Sequence, residues 1–282
     1  MIQEARTTSG LVPTARSILA KPVELDRRLP RWARRSNPVV RRHLGLYWKT
    51  ILPELGFLLR LYGFQAAIIG LSFPIPFVLD LLAPTITATV LLLPFAMVMY
   101  GQVLIGIGYQ SALIMTAELQ SDNLTLLRAT PLTLRSILGS QIAAVIWRQV
   151  ENLGLLMIAA ALLTMPILIT LYSQQWPLDA YPIESRLGMI LGVGVAMLRL
   201  MLEPFMIGAL GLACGIVFRQ RSPAVLATFL FTLAYFLLIN LPRTLALPPF
   251  PGYLVEFILP LLAPLVIIAV CFSLSSRLLE RD

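Results

Sequence analysis

Residues 86–116 read ITATVLLLPFAMVMYGQVLIGIGYQSALIMT, a run without a single aspartate, glutamate, lysine or arginine. A helix of about 20 apolar residues spans the ~30 Å hydrocarbon core of a bilayer, so this run is read as a membrane crossing. Comparable stretches at about 62–83, 151–172, 187–218, 223–241 and 255–276 bring the expected crossings to six. Composition agrees with that reading. Of 282 residues, 58% are hydrophobic and 13% charged, against roughly 45–50% and 25% in soluble domains. A water-soluble globule is excluded, and little chain is left for a separate catalytic domain. The expected fold is all-α: a polytopic six-helix transmembrane bundle.

The net charge of +8 does not point to nucleic acid, because of where the charge lies. Arg27, Arg28, Arg31, Arg34, Arg35, Arg41, Arg42, Lys49 and Arg60 crowd the start of the chain. An anionic membrane leaflet and the positive-inside rule account for such a bias. With the amino terminus inside, Arg128, Arg135, Arg148, Arg219, Arg221, Arg277 and Arg281 fall on the same side. Only Arg186 and Arg243 fall in outer loops, and both termini are expected in the cytoplasm. The first twenty residues hold no apolar run of the length that a cleavable signal peptide needs. Two regions follow: a basic amino-terminal segment, 1–60, and a six-span domain, 61–282, with a polar hairpin at about 118–148. Within the first region Val39, Val40, Leu44, Tyr47, Trp48, Ile51, Leu52, Leu55, Leu58 and Leu59 recur at helical spacing. This predicts an amphipathic helix lying in the interface, with Arg41, Arg42 and Lys49 toward lipid headgroups, Trp48 at headgroup depth and a kink at Pro53.

Catalytic and metal-binding patterns are not found. His43 is the one histidine and has no ligand spacing around it. Cys214 and Cys271 sit in apolar runs and are read as packing residues. There is no GxxxxGK[ST] phosphate loop, so any ATP must be handled by another polypeptide. The pairs Gly188/Gly192 and Gly211/Gly215 have the spacing that lets helix backbones approach, within the bundle or, on a sharper reading, at a subunit seam. Charges inside apolar runs form a second constellation. Arg199 and Glu203, four residues apart, share a helix face and can pair. Counted back from Arg219 at about 1.5 Å per residue, they are expected near the outer boundary. With Asp80 and Glu256 they would make an outer polar cluster, either a gate or a structural ion pair.

Residues 118–138, ELQSDNLTLLRATPLTLRSIL, read as a helix–turn–helix broken at Thr130-Pro131. Leu124, Leu127, Leu132, Leu134, Ile137 and Leu138 supply an apolar face too short to span and suited to docking in a groove. The segment resembles the loop after the second span in permease subunits of type-2 ABC transporters, which commonly reads ExExGTLELLLATPLSxxxIL. It matches at Glu118, Leu124, Leu126, Leu127, Ala129, Thr130, Pro131, Leu132, Ile137 and Leu138. Asn37-Pro38-Val39-Val40-Arg41-Arg42 is similar to that family's NPVLRREL opening, and Gly211 to Ala227, with Ser222-Pro223-Ala224, to its turn into the fifth span. Asp122, Asn123, Thr125, Gln120 and His43 depart from the pattern.

The resemblance implies a coupling element from Glu118 through Arg135, with Leu124, Leu126, Leu127, Thr130, Pro131 and Leu132 among its contacts. It implies a separate ABC ATP-binding subunit that carries ATP and Mg, so that this chain binds no cofactor and is not itself an enzyme. It further implies a second permease chain in a homo- or heterodimer, contact with membrane lipids, a prokaryotic plasma membrane and export of a substrate the residues do not identify. Two rivals stand beside it. An ion-coupled secondary transporter of three plus three inverted repeats would place Pro74 and Pro76 opposite Pro204. A membrane-embedded lipid-modifying enzyme would need a nucleophile or acidic pair that the inner loops lack.

Overall fold

The computed structural model describes residues 26–44, 53–80, 83–121, 132–245 and 247–281, which are helical or connecting and include no strand. The helices are α1 (Pro38–Leu44), α2 (Leu55–Leu71), α3 (Ala83–Gln120), α4 (Leu134–Arg148), α5 (Val150–Gln175), α6 (Pro182–Phe218) and α7 (Arg221–Asn240). The last is α8 (Pro249–Arg281), interrupted by a π-helical turn at Leu254–Ile258. Among the described residues, α3, α5, α6, α7 and α8 are each long and apolar enough to cross a membrane. The chain is an all-α integral membrane protein.

The expected crossing at 62–83 takes a different form. α2 is a 17-residue apolar helix, about 25 Å long, that stops at Leu71. The sequence after it, Ser72-Phe73-Pro74-Ile75-Pro76, explains the stop. Each proline lacks an N–H donor and pushes the residue before it out of helical conformation. The chain turns there and makes a short 3-10 turn at Pro76–Val78. Elsewhere Pro94, Pro166, Pro204 and Pro264 are held within continuous helices, where neighbouring helices can meet the freed carbonyls.

α3 has 38 residues and α6 has 37, so each is about 55 Å long, nearly twice the hydrocarbon thickness. Exposure along the helices locates the part that lipid covers. Exposed large apolar side chains run from Val90 to Tyr109 on α3, from Leu155 to Leu171 on α5 and from Leu226 to Leu241 on α7. On α8 they run from Phe250 to Leu274, and on α6 from Ile183 to Met201, with Val217 and Phe218 the exception at its tip. These stretches are about 22–36 Å tall and together make one belt. Beyond it lie the last turns of α3 and α6, α4 and the end of α8, where Glu118, Ile137, Leu138 and Leu279 are packed inside the protein and Arg135, Arg148, Arg277 and Arg281 are exposed. That protruding end also holds residues 26–44. Every described arginine except Arg60, Arg186, Arg199 and Arg243 lies at or below that edge of the belt, so the charge asymmetry follows the fold.

α6 is the central helix, packed against α3, α5, α7 and α8. Both glycine pairs serve this packing. A Cβ on Gly211 would stand 2.7 Å from the Gly108 carbonyl oxygen, and one on Gly215 would stand 2.8 Å from Met115 Cβ. α3 and α6 are thus in backbone contact. A Cβ on Gly188 would meet the Trp176 ring at 2.8 Å, and one on Gly192 would meet Tyr172 at 2.9 Å. These spacings are filled from within the chain, so they are not a subunit seam.

The amphipathic helix expected through 39–59 is interrupted at Pro53 and Glu54, before α2 begins at Leu55; residues 45–52, with Trp48 and Lys49, lie outside the described residues. The apolar face of α1 turns to protein rather than lipid: Val40 and Leu44 pack with Ala143, Ala144, Trp147 and Val150. Trp147 Nε1 donates to the Ala33 carbonyl at 2.9 Å, and the Arg35 guanidinium lies 4.1 Å over the same indole. Arg41 and Arg42 remain exposed on the opposite face of α1.

Candidate functional site

The most enclosed charge in the described bundle is Glu203, 1% exposed on α6. One carboxylate oxygen, Oε1, accepts from Arg199 Nε at 2.8 Å, from Arg199 Nη2 at 2.7 Å and from the Tyr235 hydroxyl at 2.9 Å. The other oxygen, Oε2, accepts from the Tyr100 hydroxyl. A bare carboxylate in hydrocarbon is costly, and charge-assisted hydrogen bonds with a guanidinium partner offset that cost. The spacing of four residues pairs Arg199 with Glu203 as expected, but their depth is corrected. Tyr100 and Tyr235 come from the middle of the lipid-covered stretches of α3 and α7, so the carboxylate is held at mid-belt, not at the outer boundary. Counting from Arg219 misplaced it because the last third of α6 is buried in the protruding end and crosses no lipid.

Toward the far end a second pair follows. Arg243 Nη2 lies 2.9 Å from Glu256 Oε2, and Glu256 is 4% exposed. Tyr172 and Arg199 both act on that carboxylate. Glu256 sits in the π-helical turn of α8, the one departure from regular winding in that helix and a feature that re-aims side chains inward. Tyr172 stacks on Trp176 with centroids 5.1 Å apart, and Tyr253 meets the same indole edge-on at 5.0 Å. Buried polar groups thus run from the middle of the belt to its far edge, drawn from α3, α5, α6, α7 and α8. Asp80, expected in this cluster, is exposed and stands apart from it. Sequence reading missed Tyr100, Tyr172, Tyr235 and Arg243. The available signal was a tyrosine inside an apolar run, whose hydroxyl needs a partner.

At the arginine-rich end, Glu118 occupies the last turn of α3. It is 4% exposed, with Arg42 Nη2 at 3.7 Å and His43 Nε2 at 3.4 Å from Oε1. Burial, then Arg42 and Arg148, push the His43 imidazole down to about 4, so it is neutral at pH 7 and the pair with Arg42 carries the charge. Glu118 was expected to meet a partner; it turns inward instead. Leu138 is also turned inward, packed with Met115, Ile142 and Leu212, and Ile137 is fully buried. Their apolar face is used inside the chain because α4 is wedged among α1, α3 and α6. α4 starts at a capping residue, Thr133, whose hydroxyl accepts from the Ser136 N–H at 3.3 Å. Arg135 is exposed, and Leu132 is half-buried on a cleft of about 340 Å3 shared with Leu134, Ile137 and Glu280. Leu124, Leu126, Leu127, Thr130 and Pro131 lie outside the described residues.

No protein-family model, curated protein or solved structure matches this chain. Function has therefore to be argued from the residues. Among the described residues, no group of three or more histidines, cysteines, aspartates or glutamates is placed to hold a metal ion. The Glu203 carboxylate has a donor on each oxygen, and its charge is balanced by the Arg199 guanidinium. What the arrangement does is join four or more helices by polar contacts that cannot be remade in lipid.

Proposed function

We propose that this chain is the membrane-spanning permease subunit of an ATP-driven ABC transporter, an exporter working as a pair of permease chains with two ATP-binding subunits. On this reading the six-span bundle counts α2 as its first, short member, and the arginine-rich end faces the cytoplasm of a prokaryotic cell. Support comes from the resemblance of residues 118–138 to the coupling loop of type-2 permeases. One geometric observation carries it further. In sequence the segment 122–131 follows α3, and α3 is a single rod from Tyr100, which binds Glu203 at mid-belt, to Glu118 at the tip. Those two residues are about 27 Å apart along the axis. A push on the tip by a partner that closes on ATP would therefore tilt the helix whose tyrosine holds the central carboxylate, and such a two-state load is what alternating access needs. The pairing of Glu203 with Arg199 weighs against the ion-coupled reading, because the charge that would attract the ion is already balanced.

Isolation of the chain from its native membrane in mild detergent tests the reading. An ATPase subunit with a GxxxxGK[ST] loop is expected to come with it at near-equal molar amount. Purification of the chain alone under conditions that keep it folded, with transport driven by an ion gradient, would count against it.

A further inference from the structure

We infer that the edge of the belt at the arginine-rich end carries a binding site for the phosphate headgroup of an anionic phospholipid, built from Arg41 and Arg42 of α1 and Arg148 of α4. The site does not depend on the ATP-driven reading. Two contacts bring Arg148 to the turn of α1 that carries Arg42, and Arg41 precedes Arg42 as an exposed residue of the same turn. Arg148 Nη2 donates to the His43 carbonyl, and Arg42 and Arg148 both act on the His43 imidazole. Three arginines therefore crowd one turn of α1 and the end of α4, all exposed. The acids nearby are Glu118, which is buried and pairs with Arg42, and Glu151, three residues after Arg148 in the first turn of α5. Among the described residues no acidic side chain pairs with Arg41 or Arg148. With His43 neutral, three positive charges against two negative leave an excess of one. His43 Nε2 faces the buried Glu118 carboxylate at 3.4 Å and is not part of the site.

The depth of the cluster selects a lipid as the occupant. Arg148 is seven residues before Leu155, where the lipid-covered stretch of α5 begins, a rise of about 10 Å. That places the guanidiniums at headgroup level, where clustered arginines draw anionic lipid. A headgroup there would also join α1 to the end of α4 from outside, as the Trp147 and Ala33 bond does from inside.

The test uses the full chain in neutral detergent, with thermal unfolding followed by tryptophan fluorescence as short-chain phosphatidylglycerol, phosphatidylcholine or glycerol phosphate is added. Phosphatidylglycerol is expected to raise the midpoint with saturation, and the other two are not. Arg41→Gln should weaken the response about fivefold, and Arg41→Gln with Arg148→Gln more, following the gain of about 1 kcal/mol per arginine near an anionic surface. If Arg148→Gln fails to fold, Arg41→Gln alone decides, since no hydrogen bond of its side chain is at stake. Arg277→Gln with Arg281→Gln removes equal charge at the exposed end of α8 and should leave the response unchanged. An equal response to phosphatidylcholine or glycerol phosphate would overturn the inference. So would an unaltered response in Arg41→Gln, or an equal loss in the α8 variant.

Discussion

Arg199→Ala is expected to lower the stability of the folded chain by roughly 3–5 kcal/mol, the range found when one partner of a buried ion pair is removed. The substitution leaves Glu203 at 1% exposure with only the hydroxyls of Tyr100 and Tyr235. Two neutral donors do not balance a full negative charge at mid-belt. The variant should therefore unfold at a lower temperature in detergent, or fail to accumulate in the membrane. Replacement of both partners, Arg199→Met with Glu203→Gln, removes the charge and keeps the volume. It should recover most of the loss, because the cost lies in the unpaired charge and not in the absent attraction. Thermal unfolding of the single and double variants checks this. A single variant as stable as the parent chain would mean that water or lipid reaches Glu203, and the enclosed network would be wrong.

The second large effect concerns the tip. Leu126→Gly with Leu127→Gly removes two apolar side chains from the segment 122–131 and adds backbone freedom. If a partner ATPase grips this segment, the variant should lose transport-linked ATP hydrolysis while the chain stays inserted and folded. Among the described residues, α3 is held by Gly211 and Gly215 of α6 and by Glu203, and α4 by its Thr133 cap and by α1. ATPase measurements on reconstituted complex, with thermal unfolding of the permease in parallel, separate coupling from folding. Unchanged stimulation of the ATPase would remove the segment from the mechanism.

Much of the bundle was legible in the sequence because hydrocarbon imposes a length on every apolar run. The stretches expected at 86–116, 151–172, 187–218, 223–241 and 255–276 each fall on a helix. The first crossing, expected at 62–83, was carried past Pro74 and Pro76, whereas α2 stops at Leu71. Two prolines one residue apart end a helix, since each restricts its predecessor as well. The fate of the polar residues was harder to read. Glu118, Ile137 and Leu138 look like a docking face when only the loop is considered. In the fold the same residues are claimed by α1, α3 and α6, contacts between parts of the chain that local periodicity does not encode. The pairing of Arg199 with Glu203 followed from a spacing of four. Its depth required knowing that α6 runs past the lipid, which only exposure along the neighbouring helices reveals.

The account rests on the arginine-rich end, with the segment 122–131, facing the compartment that holds ATP. Asn123→Cys, in a chain whose buried Cys214 and Cys271 are replaced by serine, allows this to be read directly with a membrane-impermeant maleimide. Labelling is expected in inside-out vesicles and absent from right-side-out vesicles or intact cells. Labelling from outside intact cells would contradict the account.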